Sequence, residues 1–490
     1  MKANKHSAFT QPVVRTNAHS LQCKNNTYPL KITLFENHKP CRQKHNRQME
    51  YYSTNGKTAK VSLREAVIKG LAADKGLFMP ERINVLPPTF YEEIDKLSFQ
   101  EIAFNVAQAF FGEDISEADL RTIVNETLAF DCPVVHVMAN RWALELFHGP
   151  TLAFKDVGAR FMARLLAHFV GKEQKQPVNV LVATSGDTGS AVANGFLDVA
   201  GVNVFVLYPK GKVSPIQECQ FTTLGRNITA IEVEGTFDDC QNMVKQAFMD
   251  EELNERMLLT SANSINVARF LPQAFYYFYA YAQMKRMGKA HELVVCVPSG
   301  NFGNITAALF AHRMGLPVKR FIAANNANDV FFQYLKTGHF TPKPSIQTIA
   351  NAMDVGNPSN FARIYDLYGG SHANISQLVE GFTFSDEEIR ATIRSCHEQC
   401  GYVLDPHGAC GYKALQLSLS ESEQGIFCET AHPAKFKETV DAVLDAPIDI
   451  PERLANFMKG VKQTQPMPNS FDKFKAFLLQ NAAEKGEVEM

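Results

Sequence analysis

The sequence predicts an α/β protein built on parallel sheets, with a mainly helical N-terminal region. Three observations predict it. Short β-branched runs at Val178–Ala183, Val202–Tyr208, Ile228–Val233, Leu293–Val297, Arg320–Ala324 and Gly425–Glu429 alternate with helical patterns. Near-continuous apolar strands separated by helices indicate parallel sheets covered on both faces. Two of these strands run into one pattern, S-G-x-x-G, at Ser185–Gly189 and Ser299–Gly303, and each copy opens a helix. Before residue 145 the text is helical instead. Ser62/Glu65 and Ser98/Glu101 form capping boxes ahead of the apolar-periodic runs Ala66–Ala72 and Ile102–Phe111.

A chain of 490 residues has room for two or three domains and a large core. Its formal net charge of -2 gives no electrostatic ground for a nucleic-acid or polyanionic partner. No apolar run approaches the roughly 18–20 residues of a membrane span, and no secretory signal is visible. Ten scattered cysteines suggest free thiols in a reducing, cytoplasmic compartment.

In chain order, residues 1–48 stand apart. They are rich in Lys, Arg, Asn, His and Thr, with Glu36 the only acid before Met49. A transit-like or nucleic-acid-binding arm is one reading. A disordered tail or an upstream extension, with Met49 as the working start, is preferred. From Tyr51 the text is globular, with Lys75–Pro80 as a turn into a short extended piece.

The next element is His148-Gly149-Pro150-Thr151-Leu152-Ala153-Phe154-Lys155-Asp156. Lys155 follows an apolar run and opens a helical pattern, Val157–Phe169. Apolar surroundings destabilise an ammonium, so its pKa falls and a free amine becomes available for Schiff-base chemistry. The alternative is a lysine at a helix start that snorkels to solvent. The two glycine loops decide between them. Each offers backbone N–H groups at a helix N-terminus and so suits an anion. Neither is a P-loop or a dinucleotide fingerprint. One amine nucleophile with two anion cradles matches pyridoxal phosphate acting on an amino acid.

Taken together, the Lys155 segment, Ser185–Gly189, Ser299–Asn304, Asp405-Pro406-His407, Thr430–Phe436 and Gly70-Leu71 through Pro80 resemble the threonine synthase family. The resemblance runs from about Tyr51 to past Val440. It implies the fold of type II pyridoxal-phosphate enzymes, similar to tryptophan synthase β, and conversion of O-phospho-L-homoserine and water to L-threonine and phosphate. By the same resemblance Lys155 would carry the cofactor aldimine and then act as general base. Gly300, Asn301, Phe302, Gly303 and Asn304 would hold the cofactor phosphate, and Thr430 would meet the pyridine nitrogen. Ser185, Gly186, Asp187 and Thr188 would hold the substrate carboxylate. The leaving phosphate needs a site of its own. Asn263–Arg269 supplies one, with Arg269 as the fork-shaped cation and Ser264 and Asn266 as neutral donors. His148 and His407 are candidates for lining the site. The domains expected are a core over 146–450 with a smaller lobe inserted at about 181–285, an N-terminal domain over 49–145, and a helical C-terminal extension over 451–490.

One departure stands out. Many type II enzymes carry Asn where this chain has Asp187, beside the cofactor ring oxygen. An Asp there repels a phenolate unless it is protonated or turned away, which leaves the ring oxygen's partner open. Cys396-His397-x-x-Cys400, with His407 and Cys410, has the look of a zinc set. Ile389, Ile393, Cys396 and Cys400 nevertheless share one helical stripe, so buried thiols and no metal are expected. The rival functions are a phospho-lyase or a serine/threonine dehydratase on the same fold, and, more remotely, a non-catalytic cofactor-binding protein. Oligomeric state is not legible.

Overall fold

The computed structural model describes residues 48–171 and 176–487. Residues 1–47, and with them the reading of the basic tail, lie outside the described residues. Three sheets carry the fold.

The largest has six strands in the spatial order Val379–Thr383, Arg320–Asn325, Leu293–Pro298, Gln424–Glu429, Arg141–Glu145 and Val134–Met138. All neighbours are parallel except the last pair. Every residue of the two central strands, Leu293–Pro298 and Gln424–Glu429, is buried. That is why they read as unbroken apolar runs: helices cover both faces and leave no polar side.

The second sheet is wholly parallel, in the order Gln465–Pro468, Ile228–Glu234, Val202–Pro209, Val178–Ala183, Leu258–Ser261. Its interior strand Val178–Ala183, between Val202–Pro209 and Leu258–Ser261, is also buried throughout. All six strands expected from the sequence are present. Two groupings need correction. Residues 134–145, placed above with the N-terminal helices, form a hairpin in the six-stranded sheet. Its five-residue strands are too short and too mixed to show a period. The C-terminal stretch, expected as helical, places the strand Gln465–Pro468 between the helices Glu452–Met458 and Phe471–Glu487. That strand carries two prolines and sits at the sheet edge, the place in a sheet where a missing N–H is tolerated.

The third sheet was also not foreseen in a region read as helical. Glu50–Ser53 pairs antiparallel with Val61–Ser62 and Phe78–Pro80. The helices beside it follow the capping boxes. Leu63–Lys69 starts at Ser62, and Phe99–Phe111 starts at Ser98 with the reciprocal Glu101 contact.

The helix Asp386–Cys400 begins with a complete Ser385/Glu388 capping box and ends at Gly401. Cys396 and Cys400 lie on its inner stripe with Sγ atoms 3.7 Å apart, while His397 is exposed. Ser385→Ala removes one acceptor for an orphan N–H, so a loss of about 1 kcal/mol is expected in urea unfolding, with the slope unchanged. Among the described residues no helix is long and apolar enough to cross a membrane.

Candidate active site

Lys155 is the first residue of the helix Lys155–Val170. The turn before it is stitched to the segment after Gln424–Glu429. Phe154 N donates to Thr430 O at 2.9 Å, His432 N donates to Leu152 O at 3.0 Å, and Ala153 bridges Ala431. Lys155 and Thr430, far apart in sequence, are therefore held side by side by backbone hydrogen bonds. Below the turn, Asp156 accepts from Thr151 N at 2.8 Å and Thr151 Oγ1 at 2.6 Å. The Lys155 side chain is mostly buried, with Nζ 5.6 Å from the Phe154 ring centre. Burial depresses its pKa to about 8. Nearby Lys435 and Arg269 push the same way, and Asp187 opposes them.

The loop Ser299–Gly303 joins the strand Leu293–Pro298 to the helix Gly303–Arg313. Its backbone is packed too closely for a side chain at Gly300, where a Cβ would sit 2.7 Å from Ala352 O and Met353 Cα. Phe302 takes the left-handed conformation at φ 62° and packs on Phe331, with ring centres 4.6 Å apart. Asn304 fastens the loop from behind, donating to Pro298 O at 2.7 Å. Ile305 N is taken by Asn304 Oδ1 at 2.9 Å, and the N–H groups of Gly303 and Asn304 precede the first intrahelical bond, Thr306 N to Phe302 O, which suits an anion.

The second loop, Ser185–Thr188, leads from Val178–Ala183 into the helix Asp187–Phe196. Gly186 has φ 143°, and a Cβ there would meet the Gln217 amide at 2.7 Å. Thr184 Oγ1 accepts from Gly186 N and Gly189 N at 2.9 and 2.8 Å, which shapes the turn.

Asn263–Arg269 lies between the two loops. Asn263 Nδ2 reaches Ala183 O at 3.2 Å. Ser264 Oγ accepts from Asn301 Nδ2 at 2.9 Å and from Asn360 Nδ2 at 3.1 Å. Both nitrogens approach its lone pairs, so its own proton is free to point elsewhere. Asn266 is fully buried; it donates to Val67 O and Ser261 O and caps the following turn through Ala268 N. Arg269 is 2% exposed, donates from Nη1 to Lys155 O at 3.2 Å and leaves Nε without a partner. Burial lowers its pKa to about 10, so it stays charged at neutral pH. No carboxylate forms an ion pair with it among the described residues.

Of the two histidines, His407 is buried and His148 is not. Ala352 N donates to His407 Nε2 at 3.2 Å, so Nδ1 carries the proton and donates to Asp405 Oδ1 at 2.6 Å. His407 thus braces the turn that presses on Gly300. His148 has a side chain 40% exposed and pairs with Glu145 at 2.8 Å.

Three residues that frame the site were missed by sequence reasoning. Arg363 is fully buried and donates to the carbonyls of Phe78, Ser264 and Ile265, which fixes the Asn263–Arg269 backbone. Asn360 holds Ser264. Lys435 pairs with Asp187 at 2.6 Å. Nothing local in the sequence marks them, although Lys435 sits inside a segment that carried the family resemblance.

The family described as "Pyridoxal-phosphate dependent enzyme" matches residues 136–428, "Threonine synthase N terminus" matches 50–128, and "Threonine synthase, C-terminal" matches 408–478. The threonine synthase of Serratia marcescens is 44% identical over 434 residues, 88% of this chain and 99% of that protein. The chain belongs to the threonine synthase family. The crystal structure of threonine synthase from Escherichia coli is 43% identical with a TM-score of 0.83, covering 88% of this chain and all of that one. A pyridoxal-phosphate-bound threonine synthase from Brucella melitensis is 33% identical with a TM-score of 0.83, covering 89% of this chain and all of the other.

The residues present fit the cofactor of this family. A depressed amine stands at Lys155, and the loop at Gly300 leaves no room for a side chain beside a helix N-terminus. In a threonine synthase, Gly300–Asn304 would hold the cofactor phosphate and Thr430 would face the ring nitrogen. A Gly300→Ala variant must shift the backbone of the Asn351–Met353 turn or its own loop. Its cofactor dissociation constant is expected to rise by about tenfold or more, equivalent to roughly 1.4 kcal/mol, in an equilibrium titration.

Proposed function

We propose that this chain converts O-phospho-L-homoserine and water to L-threonine and phosphate, with Lys155 as the cofactor-bearing lysine. When bound, pyridoxal phosphate supplies an electron sink for charge that develops at the substrate Cα. The other work falls to the chain's own groups. Lys155 Nζ would be the amine that holds the cofactor and, when free, the base that takes the Cα proton. A pKa near 8 leaves it a useful free-amine fraction at neutral pH while it can still carry a proton. The backbone of Ser185–Thr188 receives the substrate carboxylate at the start of a helix. Thr430 would offer a neutral hydroxyl to the ring nitrogen, which would moderate the electron sink.

The observation that carries the phosphorylated substrate is Arg269. A buried guanidinium with an unpartnered Nε and no carboxylate calls for an anion from outside. It is bonded to the carbonyl of Lys155, so an anion bound there lies next to the reacting centre. Ser264, with its lone pairs filled and its proton free, is a second donor toward that anion. A dehydratase has no use for such a cation. The test is product analysis with O-phospho-L-homoserine. Threonine and phosphate in equal amounts are expected; release of 2-oxobutanoate instead of threonine would overturn the reading.

A further inference from the structure

Lys435 lies five residues after Thr430, in the short turn Pro433–Phe436. Its side chain is wholly buried. Nζ is 2.6 Å from Asp187 Oδ1 and donates to Thr151 O at 2.9 Å. Asp187 belongs to the five-stranded lobe, and Thr151 lies in the turn that leads into Lys155. One ammonium therefore ties together three of the segments that build the site. Two amides reinforce it: Gln217 Nε2 donates to Asp187 Oδ1 at 2.9 Å, and Gln220 Nε2 donates to Thr151 O at 3.0 Å.

A buried carboxylate must find a cation. Asp187 has two in reach, Lys155 and Lys435. Pairing with Lys155 would hold that amine as an ammonium, which is no nucleophile. We propose that Lys435 is a positioning residue for Lys155: anchored to the Thr151 turn, it holds the Asp187 carboxylate on itself and so leaves the Lys155 amine free to attack a carbonyl. The inference rests on the reading of Lys155 as the cofactor lysine.

The electrostatics support it. Burial would raise the Asp187 carboxyl, but Lys435 first and Lys155 second overcome that and hold it well below the carboxylate range. Lys155 feels Asp187, Lys435 and Arg269. Lys435 in turn acts on Asp156, Cys219 and His432. Both oxygens of Asp156 are taken by Thr151, so it does not compete for the ammonium.

The test uses the full chain stripped of cofactor. Pyridoxal phosphate is added between pH 6 and 10, its uptake is followed by visible absorbance, and the product is trapped with borohydride and mapped. Uptake forms a C=N bond with loss of water and requires the neutral amine, so its rate against pH reports the Lys155 midpoint. Lys435→Met frees Asp187 to pair with Lys155, and the midpoint is expected to rise by about one unit, slowing uptake about tenfold at pH 7.5. Asp187→Asn should lower the midpoint. The double variant should return it toward that of the unsubstituted chain. A merely structural lysine would slow uptake at every pH without moving the midpoint, and unmoved midpoints in both single variants would overturn the proposal. If Lys435→Met does not fold, Asp187→Asn decides alone: a downward shift supports the proposal and no shift overturns it. A trap that lands on a residue other than Lys155 removes the reading of Lys155 and this inference together. A trap on Lys155 with unmoved midpoints removes only the role of Lys435.

Discussion

Lys155→Ala is expected to reduce threonine formation by roughly 10⁴-fold or more and to abolish borohydride trapping of the cofactor. The size follows from two roles lost at once, since the same amine binds the cofactor and moves the Cα proton. Cofactor affinity should fall less than activity, because the phosphate cradle at Gly300–Asn304 is untouched. The fold should survive. The Lys155 ammonium accepts no structural duty in the described residues beyond its approach to the Phe154 ring. Its backbone carbonyl, which receives Arg269, remains in alanine. A melting temperature within a few degrees of the parent, with activity gone, would separate chemistry from stability. Turnover at the parental rate would sink the assignment.

Arg269→Ala is expected to cost about 2–5 kcal/mol of transition-state stabilisation, or roughly 30- to several-thousand-fold in kcat/KM on O-phospho-L-homoserine. The guanidinium is buried and pairs with no carboxylate among the described residues, so a bound phosphate meets it with little competition from water. Arg269→Lys should recover only part of the loss, because an ammonium keeps the charge but not the fork. The cofactor titration should barely move in either variant. Removing a buried side chain also leaves a cavity, so the melting temperature belongs beside the kinetics. Unchanged kcat/KM, or loss of cofactor binding in Arg269→Ala, would place the substrate phosphate elsewhere.

The parts of the fold legible in the sequence are those whose physics is local or uniform. Val178–Ala183 and Leu293–Val297 read as strands because burial on both faces leaves them almost wholly apolar, with Asn179 the one polar side chain. The hairpin at 134–145, the strands Leu258–Ser261 and Val379–Thr383, and the proline-bearing Gln465–Pro468 did not. They are short, and most lie at sheet edges, where pairing depends on a neighbour from a distant part of the chain. The site divides in the same way. Lys155, Ser185–Thr188 and Gly300–Asn304 are contiguous motifs whose backbone conformation makes the anion cup or presents the amine.

The chain by itself determined the chemistry on offer: an amine after an apolar run, two glycine loops at helix starts, and an arginine segment suited to phosphate. Only the tertiary structure decided how those charges are shared. Lys435 reaches Thr151 across 284 positions and pairs with Asp187. Arg363, inconspicuous in sequence, spends its guanidinium on the carbonyls of Phe78, Ser264 and Ile265. His407 braces Gly300 through Ala352 rather than standing as a free base. The reason is electrostatic. A buried charge takes its meaning from whatever lies within a few ångströms of it, and that neighbourhood is set by packing between lobes rather than by spacing along the chain.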